Sequence, residues 1–336
     1  MITEETMKQP QQDQTSPTLD TINTRTGRNM PQAIATGVLL VVVILGCLLV
    51  KPDAFMLLIV CFMSLGLWEL RVDFATAGLD IPILALWVCS AGTILAMFYG
   101  RDHVLWMVAG VFLTAVIVTI CASFQHRGSR RLERAVASKL NFADSLPNQS
   151  ESGSITEGNP PVVRVNSRYA NVSVSLLTVV YITFLANLIV LPTTFGGHPV
   201  AHGLISVFLP AVSDIGGLAF GAWLGKHKLS PRISPKKSVE GLLGSMGLCI
   251  IAAGAIFACT YPRQEWAQIW WVAVLLGAMV GITGTFGDLS ASLIKRDLGI
   301  KDMGHLLKGH GGVLDRVDSI LMSAPFIAGL LWVTGL

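Results

Sequence analysis

Charged residues are scarce in this chain. They make up 13% of its 336 residues, against roughly 25% in a soluble globular domain. That shortage excludes a soluble domain, and a net charge of +3 gives no basic field for nucleic acid. The six cysteines (Cys47, Cys61, Cys89, Cys121, Cys249 and Cys259) have no paired spacing. A disulfide framework and a cysteine zinc site are therefore excluded, and the thiols read as small apolar packing groups. Short alternating apolar segments are also missing, which excludes a transmembrane barrel. No internal repeat suggests the inverted symmetry of many transporters. No cleavable signal peptide is expected either, because about 32 polar residues precede the first apolar run.

In place of charge the chain has long apolar runs; 52% of its residues are hydrophobic. About 20 consecutive apolar residues span a bilayer as a helix. Nine such stretches stand near 33–50, 54–70, 81–99, 104–123, 170–191, 200–224, 240–260, 268–290 and 318–335. The expected fold is an all-α polytopic membrane protein. Residues 1–32, rich in Gln, Thr, Asn and Pro, read as a disordered tail. Residues 33–123 read as a four-span scaffold, 124–169 as a basic, flexible linker and 170–336 as a five-span catalytic domain. With the N-terminus in the cytoplasm, 21 of the 24 lysines and arginines fall on cytoplasmic segments. Only Lys51, Arg101 and Arg263 fall outside, the asymmetry that sets orientation. A multi-pass protein of the cell (inner) membrane with its chemistry facing the cytoplasm is expected.

Polar residues concentrate after residue 210. Ser213 and Asp214 lie inside the sixth apolar run, and "GKHKLSPRISPKKSVEG" follows it. Asp288, Ser292 and Lys295 are spaced i, i+4, i+7, and Asp315 and Asp318 are spaced i, i+3; each set shares a helical face. Two carboxylates within one turn repel unless a cation or proton sits between them. With Asp288 as a third acid on the facing helix, Asp315 and Asp318 form a hard-oxygen set suited to Mg²⁺. The alternative is that these acids cap helices or pair with Lys295 and Arg316. The turn Gly309-His310-Gly311-Gly312 can aim backbone N–H groups at an anion. A glycine-rich turn, paired acids and clustered bases together suit a metal–polyphosphate site. His310 either contacts phosphate or assists proton transfer, or simply bonds to backbone. Lys236 and Lys237 lie in a proline-stiffened basic loop that serves topology and could also contact phosphate. Glu240 is placed to complement a helix dipole.

"SLIKRDLGIKDMGHLLKGHGGVLDRVD", 292–318, resembles the signature of the phosphatidate cytidylyltransferases, also called CDP-diacylglycerol synthases. The matching positions are Ser292, Lys295-Arg296, Lys301-Asp302, His310-Gly311-Gly312, Asp315-Arg316 and Asp318, with Gly287-Asp288 as the lead-in. Ser213-Asp214 and the loop at 225–241 resemble that family's upstream motifs. Lys308 departs from the family's usual proline, and Ser238 stands where threonine is common. The resemblance implies that CTP and phosphatidate give CDP-diacylglycerol and pyrophosphate. It also implies a Mg²⁺-dependent site with a second cation, and a homodimer in the lipid bilayer. On that basis Asp288, Asp315 and Asp318 are expected to hold the metal. Lys295, Arg296, Lys301, His310 and Arg316 are expected to act on the phosphates. Ser292, Gly311, Gly312, Lys236, Lys237 and Asp214 are expected to line the substrates. Two alternatives remain at this point. A CTP-dependent lipid kinase would transfer the γ-phosphoryl group to a lipid alcohol. A transporter would use intramembrane carboxylates.

Overall fold

A computed structural model describes residues 30–76, 78–124, 168–230, 234–297, 303 and 312–336. The N-terminal tail to residue 29 and most of the expected linker, 125–167, lie outside the described residues. All nine apolar stretches are helical. They begin with α1 (Met30–Val50), α2 (Pro52–Thr76), α3 (Ile83–Tyr99) and α4 (His103–Phe124). The fifth path runs from α5 (Arg168–Thr178) through a π-helical turn (Val179–Phe184) and α6 (Leu185–Val190) to a 3₁₀ turn (Leu191–Thr194). Then come α7 (Pro199–Leu224), strands β1 (Lys228–Ser230) and β2 (Ser234–Ser238), α8 (Val239–Thr260), α9 (Arg263–Asp297) and α10 (Leu314–Thr334). Seven of these passes are long and apolar enough to cross a membrane; Gly37–Val50 and Ile83–Tyr99 are apolar but shorter. In hydrocarbon every backbone N–H and C=O must be satisfied within the segment, which is why these runs coil. Their outward faces carry Leu84, Val88, Phe112, Leu218 and Ile251, all strongly exposed, as lipid-facing residues are.

Two apolar clusters hold the bundle. The first joins α2, α3 and the π-turn–α6 path to Leu314, Leu321, Ala324 and Ala328 of α10. The second joins α7, α8 and α9 to Ile327 and Leu331 of the same helix. The last helix therefore sits between both halves of the chain. Tail-like apolarity does not itself drive helices together in lipid, so close packing must do so. Gly277 and Gly281, one turn apart on α9, provide it. An added Cβ at Gly277 would lie 2.5 Å from Ile250 Cα, and one at Gly281 2.6 Å from Met246 Cα. The backbones of α8 and α9 thus touch.

Two features depart from the sequence reading. The eighth apolar stretch lies on α9, which runs 35 residues to Asp297, past the expected end near 290, so Ser292 and Lys295 lie on one unbroken helix with Asp288. The basic stretch after α7 is an antiparallel hairpin, pairing Lys228 with Ser238 and Ser230 with Ser234. Glu240 does more than face a helix dipole. Its carboxylate accepts from Lys226 N at 3.1 Å, from His227 N at 3.2 Å and from His227 Nδ1 at 2.6 Å. Ser238 caps α8 by accepting from Gly241 N at 3.1 Å. The hairpin is thereby clamped to the start of α8.

Candidate active site

The chemistry-bearing residues meet on the C-terminal halves of α2, α7 and α9, the first turns of α10, and β2. The first turn of α10 is fixed by Glu69, buried on α2. Its Oε1 accepts from Val313 N at 2.8 Å and its Oε2 from Leu314 N at 2.9 Å. A carboxylate at a helix N-terminus meets both the unpaired amides and the positive end of the dipole. Gly312 precedes these amides, and a Cβ there would overlap the carbonyl oxygen of Met303. No larger residue fits that approach.

Asp315 lies in the first turn of α10. Its Oδ1 is 2.8 Å from Lys295 Nζ, and its Oδ2 accepts from Met303 N at 3.0 Å. The pairing alternative raised by the sequence thus describes Asp315 and Lys295 as they stand. Asp318, one turn deeper and 4% exposed, has a different setting. It interacts electrostatically with Asp288 and Asp214, both carboxylates, and with Lys295. Ser319 Oγ stands 3.0 Å from Asp214 Oδ1 and 3.2 Å from Gly284 O; its single proton serves one of them at a time. Asp288 Oδ2 is 2.7 Å from Lys237 Nζ on β2, so the hairpin folds back over the acids. Gly284 and Gly287 permit this closeness. A Cβ at Gly287 would lie 2.9 Å from Asp318 O, and one at Gly284 2.8 Å from Ser213 Oγ. Ser245 Oγ donates to Ser213 O at 2.7 Å and ties α8 to α7 at the level of Asp214.

The sequence-derived set is therefore brought together in part. Asp214, Asp288, Asp318, Asp315, Lys237 and Lys295 gather, with Ser292 half-buried on the face of Asp288. Arg296 and Arg316 are exposed at the same end. Gly312 serves a close approach. Lys301, His310 and Gly311 lie outside the described residues, as does the side chain of Lys236. Two residues were missed. Glu69 sits in an apolar run, where a lone acid is itself a functional signal. Tyr181, on the π-helical turn, is 9% exposed, and its hydroxyl has no hydrogen-bond partner among the described residues. It lies within electrostatic reach of Asp318 and Asp315. Single π-turns inside α-helices occur often at functional sites, but nothing in the residue pattern announces one.

Among the described residues no three His, Cys, Asp or Glu side chains converge enough to hold an ion by themselves. The donors are nonetheless hard oxygens, and Mg²⁺ is usually held by one or two carboxylates, waters and substrate phosphates. Asp318 and Asp288, with Asp214 beside them, fit that requirement.

The site is thus a set of interleaved acids and lysines at one end of a many-pass helical bundle. The chain belongs to the cytidylyltransferase family, whose model matches residues 31–334. It is 34% identical over 300 residues to a phosphatidate cytidylyltransferase of Mycobacterium leprae, covering 89% of this chain and 86% of that one. A Mycobacterium bovis protein of the same name is 30% identical over 308 residues, covering 90% and 89%. A Synechocystis protein of that name is 44% identical over 115 residues, covering 34% and 38%.

Proposed function

We propose that this protein transfers the cytidylyl group of CTP to phosphatidate, forming CDP-diacylglycerol and pyrophosphate for phospholipid synthesis. Family membership supports the reaction class. The observation that carries it to the site is the gathering of Asp214, Asp288, Asp318, Lys237 and Lys295 from the segments that resemble the family's signature and its upstream motifs. The lipid-kinase and transporter alternatives find no support in the family match.

The chemistry needs little from a side-chain nucleophile. The second pKa of a phosphate monoester is about 6, so phosphatidate is largely a dianion at neutral pH. Its oxygen attacks the α-phosphorus of CTP, and the bond to the bridging oxygen breaks. Pyrophosphate leaves with the electron pair. The barrier is electrostatic, because both partners are anions. Lys295 and Lys237, together with Arg296 and Arg316, neutralise that charge and hold the groups in line. Lys236, Lys301, His310 and the amides of Gly311 and Gly312 complete the phosphate contacts in this proposal. The Tyr181 hydroxyl supplies one more donor from the buried side. Asp288 and Asp318 would hold Mg²⁺ together with Asp214 or Asp315. That ion supplies charge neutralisation at the phosphates when bound.

The site faces the cytoplasm of the cell membrane in this reading, supported by the 21 basic residues on the segments of one side. The homodimer implied by the resemblance belongs to the same proposal and is tested by the mass of the detergent-solubilised protein. The reaction is tested with purified protein, Mg²⁺, phosphatidate and CTP labelled at the α-phosphate. Label in the lipid with release of pyrophosphate is expected. Label recovered only in CDP would overturn the transfer in favour of γ-phosphoryl chemistry.

A further inference from the structure

An apolar cleft lies beside the acids and plays no part in the chemistry above. It is walled by α1, α2, the π-turn–α6 path, α7 and α10, and every side chain lining it is apolar. Its inner end is set by Gly66. A Cβ there would meet Ile182 Cδ1 at 3.6 Å and Leu314 Cδ1 at 3.7 Å. Glu69 follows Gly66 by one turn of α2 and bonds to Leu314 N. Leu314 and Val317 line the cleft, while Asp315 and Asp318, their immediate neighbours, face the charged site. Cleft and acids therefore share the first two turns of α10.

The far end is reached at Phe55, with Ile44 and Ile189 among the walls. Gly66 to Phe55 spans about 16 Å at 1.5 Å per residue. That is about half of the ~30 Å hydrocarbon core, the depth that the tails of one lipid occupy. The cleft thus starts at the level of the acids and runs one tail length away from them. A polar ligand would find no partner in it and would be excluded.

We infer that this cleft holds one acyl chain of the lipid whose phosphate is presented to Asp318 and Lys295, which rests on phosphatidate being the substrate. Membrane lipid tails are as apolar as the cleft walls, so entering it gains little from apolarity alone. Tethering through the head group is what makes the substrate's tail, rather than that of any other lipid, the occupant. Chain-length preference is then set at the far end, by Ile44, Leu58 and Phe55.

The test has two arms. In the first, Ile44→Trp and Leu58→Trp narrow the far end at half-buried positions, where added bulk is tolerated. Each is expected to lower kcat/KM about tenfold for dipalmitoyl phosphatidate and to leave dioctanoyl phosphatidate within about twofold. Equal losses on both lipids, or on neither, would overturn the inference. In the second, the unmutated protein in nanodiscs receives phosphatidate carrying a diazirine at the end of one tail. Adducts concentrated on α1, the Phe55–Leu58 turn and α6 are expected, and the same probe on phosphatidylcholine should not give them. Matching adducts from both lipids would mean bulk lipid occupancy and would overturn it. If the wild type turns over neither phosphatidate, the proposed reaction fails, and the cross-linking arm alone judges the cleft.

Discussion

Replacing Glu69 by glutamine isolates the contact on which the active-site helix is hung. Both carboxylate oxygens of Glu69 accept backbone amides, at 2.8 and 2.9 Å. Glutamine keeps one acceptor and turns an NH₂ group toward the other amide, donor against donor. A hydrogen bond to a charged group contributes about 1.5–3 kcal/mol. A partly buried charge at a helix terminus contributes up to ~2 kcal/mol. These terms overlap, so the loss should fall at about 2–4 kcal/mol. Thermal unfolding in detergent should show Tm lower by on the order of 5 °C. Turnover should fall at least tenfold, because Asp315 and Asp318 lie within two turns of the displaced amides. Glu69→Asp keeps the charge but is one methylene shorter, so it should fall between the two. A glutamine variant with the melting temperature and turnover of the wild type would refute the anchoring role.

The other predictions concern single contacts in the same site. Asp318→Asn should reduce CTP-dependent turnover at least ~100-fold while the purified protein keeps its helical circular dichroism; near wild-type turnover would remove Asp318 from the charge-handling set. Gly312→Ala should lower both Tm and turnover, because its Cβ has no space beside the Met303 carbonyl; such overpacking costs about 1–3 kcal/mol. Lys237→Met breaks a pair whose side chains are 22% and 40% exposed, so stability should change by less than about 1 kcal/mol, while KM for CTP should rise severalfold. An unchanged KM would leave Lys237 a topology residue. Tyr181→Phe should keep Tm and lower kcat about tenfold, in line with one lost donor; unchanged kinetics would make the π-turn a packing feature only.

Different parts of the molecule were legible to different degrees. The helices could be read from apolar length, because lipid leaves the backbone no other choice. The segment Ser292–Asp318 could be read as a site because spacing on a helix fixes which residues share a face. Spacing says nothing of partners on other helices. Spacing groups Asp315 with Asp318 on one face; the fold in addition sets Asp315 against Lys295 and brings Asp214 toward Asp318. Glu69 was hidden for the same reason: its partners are backbone amides far along the chain. The hairpin was hidden by Pro235, since proline argues against a strand except at an edge, and a two-stranded hairpin consists only of edges.

Glu69 and Val313 are separated by 244 residues. At a synthesis rate of about 5–20 residues per second, the acid is made roughly 12 to 49 s before the amides it receives. Through that interval the two contacts that set the start of α10 cannot form. The first turn of α10, which carries Asp315, is therefore fixed only after that helix has been made.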